Sequence, residues 1–409
     1  MKKQQLTVIL LAGLIAAPVS AQFHVQNGAS FHIQSSTLVS IDGLVLQPST
    51  AHTLSNVTIT RSGTAVPSQI PFGQSISRVY NFSAPVNFTG TLGIRYEDSE
   101  LNGLTESWLQ VATRPNTGVP FVNATNSSVN QTDNYVSAAY ASAVSLGQVT
   151  GAARAVYTSA KAYLQGAYNA GSGRHKDVTS GWAGIITANA LSQPYNYTAF
   201  GNYNGGEKMN ASLAGPDAAD TDAFDWVLLE LKNASNTVIA RRAALILENG
   251  NIVEIDGVSP VAFHGPTHGK YSLTVHHRNH LSIRSATTPD FGATPVTFDF
   301  TGNQASAYQN PAITTNEAMK ELAPGKFGLW GGNANGNGVV NYGPLPSSDR
   351  GNILLTVGNT IIGTLPGYHS QDVNFSGIVN YGPLPSSDRG FILNTVLGNS
   401  IVATRQAHQ

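Results

Sequence analysis

The chain has 409 residues, 22 lysines and arginines against 23 aspartates and glutamates, and no cysteine. The length calls for two to four domains with sizeable cores, and the absence of cysteine excludes a disulfide framework. A formal net charge of 22 − 23 = −1 argues against nucleic acid or an anionic membrane as partner. Charged residues make up 11% of the chain, against about 25% in an ordinary soluble domain, so Asn, Ser, Thr and Gly carry the polarity, as in extracellular β-proteins with many turns.

In chain order, residues 1–21 have the pattern of an export signal. Lys2 and Lys3 precede the apolar run Leu6 to Ala17, and Val19-Ser20-Ala21 forms an A-x-A-like cleavage site. The run is too short for a membrane anchor, which needs about 18 or more apolar residues, so no transmembrane segment is expected. Residues 22–155 predict an antiparallel β-sandwich. Runs at Thr37–Ile41, Thr53–Thr60, Ile76–Phe82, Gly90–Tyr96 and Glu106–Thr113 are separated by turn residues, 116–133 form a long loop, and strands return over Tyr135–Thr150. Residues 156–224 predict a loop-rich connector with a first strand. Residues 225–302 predict a second sandwich of about seven strands, with Asn249-Gly250 as a hairpin turn. Residues 303–332 form a further connector.

Residues 333–400 contain one unit written twice. Val340 to Gly351 reappears unchanged as Val379 to Gly390, an offset of 379 − 340 = 39 residues. Each copy opens with alternating oxygen-bearing side chains: Asn333, Asn335 and Asn337 before Gly338, then Asp372, Asn374 and Ser376 before Gly377. This is the front half of an EF-hand calcium loop, with ligands at positions 1, 3 and 5, glycine at 6 and an apolar residue (Val340, Val379) at 8. Position 12 is Pro344 or Pro383 instead of a bidentate Glu. The next carboxylate, Asp349 or Asp388, follows five residues later, after a helix-capping serine. We read an insertion that lets Asp349 and Asp388 take the place of the missing Glu. Calcium is the expected cofactor. Repeat two offers two carboxylates and repeat one only Asp349, so the sites are expected to be weak, about 10⁻⁴ to 10⁻³ M.

This double repeat resembles the dockerin-like, calcium-binding repeat at the C-terminal end of large secreted and surface proteins of Bacteroidota-type bacteria. Tyr163-Leu164-Gln165-Gly166-Ala167-Tyr168-Asn169 also resembles a segment of that family, though it suggests no chemistry, and Asp225 to Leu231 and His277-Arg278-Asn279-His280-Leu281 resemble recurring blocks of bacterial surface β-sandwiches. The 225–302 segment resembles prealbumin-like or Cna-B-like sandwiches, with Gly269-Lys270-Tyr271 opening a late strand.

Other clusters read more simply. His276 and His280 would share a strand face with Arg278 between them, a polar face in preference to a zinc site. Asp217, Asp220, Asp222 and Asp225 suggest a solvated loop, with Asp225 fixing entry to a strand. Glu97, Asp98 and Glu100 lie in one turn, unlike the two separated carboxylates of a glycosidase. Trp108, Trp182 and the tyrosines of 195–203 suggest core in preference to a sugar platform.

The resulting expectation is a mostly β protein: two β-sandwich domains followed by a small dockerin-like loop-helix duplicate. It would be a secreted, non-enzymatic adhesion or scaffold protein at the outer cell surface, with a calcium-stabilised interaction module. Its partner would be a protein or glycan, with self-association into a fibre or matrix as the alternative reading and a polysaccharide-binding or polysaccharide-active protein as a further one.

Overall fold

Runs rich in Val, Ile, Thr and Tyr between Gly, Asn and Pro turns give a mostly β chain, 44% strand and 12% helix. The computed structural model describes residues 22–66, 75–119, 121–215, 221–292 and 294–409, so the expected export signal lies outside the described residues. Two compact units divide between Ala153 and Arg154. Among the described residues no helix is long and apolar enough to cross a membrane.

The first unit is one nine-stranded sheet. Its strands are β1 (Gln22–Ile33), β2 (Val39–Ile41), β3 (Leu44–Pro48), β4 (His52–Ser62), β5 (Ser75–Arg95), β6 (Leu109–Arg114), β7 (Val122–Asn123), β8 (Ser128–Asn130) and β9 (Tyr135–Ala153). The first part of β5 pairs with β4 and its last part with β3, while β9 runs antiparallel along it. Both sections of the sheet enclose one apolar cluster that includes Leu46, Ile59, Tyr80, Leu92, Val111, Val136 and Val149. Ile76–Phe82 and Gly90–Tyr96, expected as separate strands, belong to this single β5. Its polar-looking middle around Pro85 coincides with a register shift between Asn81 and Val86, where proline is tolerated because no ladder donor is required.

The second unit has an eight-stranded sheet made of β10 (Ala155–Lys161), β13 (Ala223–Lys232), β14 (Val238–Leu247), β15 (Asn251–Val253), β16 (Val261–His264), β18 (Ser272–His277), β19 (His280–Arg284) and β21 (Val296–Asp299). Small pairs join β11 (Tyr168–Asn169) to β12 (Arg174–His175), β17 (Gly269–Lys270) to β20 (Asp290–Phe291), and β22 (Lys320–Ala323) to β23 (Lys326–Gly328). The segment 156–224 contributes β10 to the sheet and a helix α1 (Ser180–Asn189), capped by Thr179. Its Trp182, Ile186, Tyr195 and Phe200 share the core with Trp226 and Leu229. Trp182 and Tyr195, weighed as sugar-stacking aromatics, instead donate hydrogen bonds to the carbonyls of Phe224 and Trp226 at 2.8 and 2.7 Å.

The doublet lies in this same unit, and its core takes in Leu281 and Trp330. Its elements are β24 (Val339–Asn341), α2 (Asp349–Thr356), β25 (Thr364–Pro366), β26 (Ile378–Asn380), α3 (Asp388–Gly390), which continues into a π-helix over Phe391–Val396, and β27 (Thr404–Gln406). Each repeat's exit strand pairs with the other repeat's loop. Strand β25 closes on β26, with Thr364 opposite Asn380, and β27 closes on β24, with Thr404 opposite Asn341. The second helix carries one extra residue, Leu397, before the shared Gly-Asn. The π turn absorbs it through an i→i+5 bond from the Leu397 amide to the Ile392 carbonyl at 3.0 Å.

Candidate metal centre

The insert folds back as its chemistry suggests. Arg350 lies over the Tyr342 ring and Arg389 over Tyr381, each at 4.4 Å. Ser348 and Ser387 then cap the helices by accepting from the Gly351 and Gly390 amides at 3.2 and 3.1 Å. This places Asp349 and Asp388 in the first turns, buried and turned into their own loops. Asp349 accepts from the Asn335 amide at 3.2 Å and the Asn341 amide at 2.8 Å. Asp388 accepts from Val373 at 2.9 Å, Asn374 at 3.4 Å and Asn380 at 2.7 Å.

The front halves form the expected turn, with Gly338 and Gly377 at φ 81° and 82°, a region open to glycine at little cost. In repeat one Asn333, Asn335 and Asn337 accept from the amides of Gly338, Asn337 and Val339. In repeat two Asp372 accepts from Ser376 and Gly377 at 2.9 and 2.8 Å, and Asn374 accepts from Ser376 at 3.0 Å. The Ser376 hydroxyl lies 3.5 Å from Asp372 Oδ1 and donates to the Ile378 carbonyl at 2.9 Å.

Two observations bear on whether a cation fits. First, Asp349, Asp372 and Asp388 are fully buried, and among the described residues none forms an ion pair. Burial pushes Asp349 and Asp388 up to about 7 and also raises Asp372. For Asp388 the neighbouring Asp372 charge adds to the rise. Buried carboxylates without a counter-charge are costly unless protonated or bound to a metal. Second, Asn341 Oδ1 and Asn380 Oδ1 are buried and have no hydrogen-bond partner. Both occupy loop position 9, a ligand position in the EF-hand pattern. Sequence reasoning passed over these two, although they stand inside the duplicated block. Repeat two therefore brings Asp372, Asn374, Ser376, Asn380 and Asp388 to one loop, though among the described residues no group of three or more His, Asp or Glu is placed to hold a metal ion. Repeat one brings Asn333, Asn335, Asn337 and Asn341 together with the single carboxylate of Asp349.

The three family-like blocks around Gly166, Asp225 and Arg278-Asn279 meet on this doublet. A Cβ on Gly166 would stand 2.2 Å from the Val373 carbonyl, so only glycine lets the two backbones meet. Asn279 accepts the Asn333 amide at 3.0 Å and donates to the Asp372 carbonyl at 2.9 Å, touching the first residue of each loop. Arg278 is fully buried beneath Tyr368, its guanidinium 4.3 Å from the ring centroid, and donates to the His369 carbonyl. Asp225 accepts from Arg278 Nε at 3.1 Å, from Tyr368 at 2.5 Å and from the Trp226 amide at 2.7 Å, with His277 at 3.3 Å. Burial favours its neutral form, but Arg278, His277 and Tyr368 together hold it well below the usual carboxylate range.

This corrects two expectations. Asp225 is a buried counter-ion, whereas Asp217 and Asp220 lie outside the described residues. His276 and His280 are not on one strand face, because Arg278 and Asn279 make a tight turn that puts them on β18 and β19. His276 meets Ser282 at 2.6 Å and Glu230 at 3.0 Å, and His280 meets His277 at 3.1 Å. In the first unit, Glu100 pairs with Arg61 and Arg78 at 3.1 and 2.7 Å, so it braces a turn.

No protein-family model, no curated protein and no solved structure matches this chain.

Proposed function

We propose that this is an exported, non-enzymatic β-protein of the outer cell surface, acting in adhesion or as a scaffold, whose dockerin-like C-terminal doublet is stabilised by calcium. The observation that carries the reading is the set of three buried carboxylates without ion pairs, held in duplicated EF-hand-like turns. Asp372, Asp388, Asn374, Ser376 and Asn380 would hold the ion in repeat two, and Asp349 with Asn333, Asn335, Asn337 and Asn341 a weaker one in repeat one. Calcium would add positive charge beside carboxylates on which Lys176 and Arg278 act without forming a direct ion pair. Because the doublet packs on Gly166 and Asn279, an ion bound there stabilises the whole second unit by mass action. A thermal melt of the full chain in EDTA and then in excess calcium tests this. A drop reversed by calcium supports the reading, and superimposable curves overturn it.

A second reading, self-assembly through strand addition, draws on β1. It lies at the end of the sheet order, pairs only with β4 among the described residues, and has no charged residue along Gln22–Ile33. Long edge strands without charged residues favour pairing with another chain, and the register shift between Val25 and Ser30 is the feature of β1 that opposes it. Concentration-dependent light scattering, abolished by a Gln26→Lys change at an exposed position of β1, would favour this reading.

A further inference from the structure

Lys176 follows β12, where its amide donates to the Ala167 carbonyl at 2.8 Å. Its side chain reaches across to repeat two, and Nζ donates to the Asn374 carbonyl at 2.7 Å. Asn374 is loop position 3. The Asp372 and Asp388 carboxylates both act on this ammonium. The matching carbonyl in repeat one, that of Asn335, receives no lysine or arginine among the described residues. Repeat two thus has two carboxylates with an ammonium on its backbone, the Arg278 guanidinium also acting on Asp372, whereas repeat one has a single carboxylate and no lysine or arginine on its loop carbonyl among the described residues. The extra acid of the second loop is offset by a cation from a distant part of the chain.

We infer that Lys176 is a built-in brake on divalent-cation binding in repeat two, setting its calcium affinity lower than its ligands alone would give. The inference rests on the calcium reading above. A cation entering the turn meets a positive charge already hydrogen-bonded to the loop backbone. The lysine is still exposed on one side, so water and salt weaken the repulsion but do not abolish it.

Calcium titration by calorimetry on the full chain tests this with wild type, Lys176→Gln, Lys176→Arg and Asp372→Asn. Lys176→Gln should bind calcium about fivefold more tightly at low salt, and the gap should narrow as ionic strength rises. Lys176→Arg keeps the charge and should stay near wild type, and Asp372→Asn should bind more weakly. Equal or weaker binding by a folded Lys176→Gln chain would overturn the brake alone, making the lysine a brace for the loop. If neither wild type nor Lys176→Gln binds calcium, the calcium reading falls and the brake falls with it.

Discussion

Asn279 donates its side-chain amide to the Asp372 carbonyl at 2.9 Å, from a residue fully buried between two loops. Its own carbonyl holds Asn333 and its Oδ1 meets His280 Nδ1 at 2.7 Å. Replacing Asn279 with Ala leaves buried polar groups unpaired and should cost about 2–3 kcal/mol. Urea unfolding measures the loss, and hydrogen exchange should show both loops opening together.

The Asp225–Arg278 pair should be the most sensitive in the second unit. Asp225→Asn removes the counter-charge from a fully buried guanidinium and should cost about 3–5 kcal/mol. Chemical denaturation reads this, and a loss below about 1 kcal/mol would mean that Tyr368 and the His369 carbonyl hold Arg278 by themselves.

Without calcium, the contribution of Asp349 and Asp388 to stability should fall as pH rises from about 4 to about 7. Asp349 and Asp388 ionise near 7 when folded, against an ordinary value of 3.8. Between those values the folded chain holds protons that the unfolded chain has released, so raising the pH favours unfolding by on the order of 3 kcal/mol per aspartate. Calcium binds the ionised form and should flatten this slope. Asp388→Asn should remove about half of it, as melts across the pH range will show.

The acid limb should have the opposite sign. His175 is fully buried. Its Nε2 accepts the Leu164 amide at 2.9 Å, and its Nδ1 meets the Leu247 carbonyl at 3.0 Å, so the ring is held neutral. Burial pushes it down to about 3 from 6.5. The unfolded chain therefore binds the extra proton, and the contribution of His175 is lost as pH falls below 6.5, by about 2 kcal/mol near pH 5, opposing the aspartates over that range. His175→Gln should lower stability at neutral pH and make the acid limb shallower.

Gly166→Ala should destabilise the doublet by more than about 1 kcal/mol, since the added carbon meets the Val373 backbone. Differential scanning calorimetry checks this against Gly184→Ala, where the added carbon meets nothing and a helix interior favours Ala.

The loop chemistry was legible because it is local and written twice. The position of Gly377, the caps at Ser348 and Ser387 and the return of Asp388 all follow from spacing within one repeat. What escaped depends on partners far along the chain. Gly166 has meaning only beside Val373, and Asp225, expected to fix entry to a strand, shows its counter-ion role only with Arg278 and Tyr368 around it. The histidines were misplaced because a tight turn at Arg278-Asn279 broke the period-two count. Nothing in Thr364 or Thr404 announces which loop it will close.

That exchange of exit strands makes each half of the doublet a clasp for the other. Because Thr404 to Gln406 fasten Val339 to Asn341, clipping the chain after Ala403 would loosen the earlier turn while the later one stayed latched by Thr364 to Pro366. An injury at the tail would be felt more than sixty residues upstream.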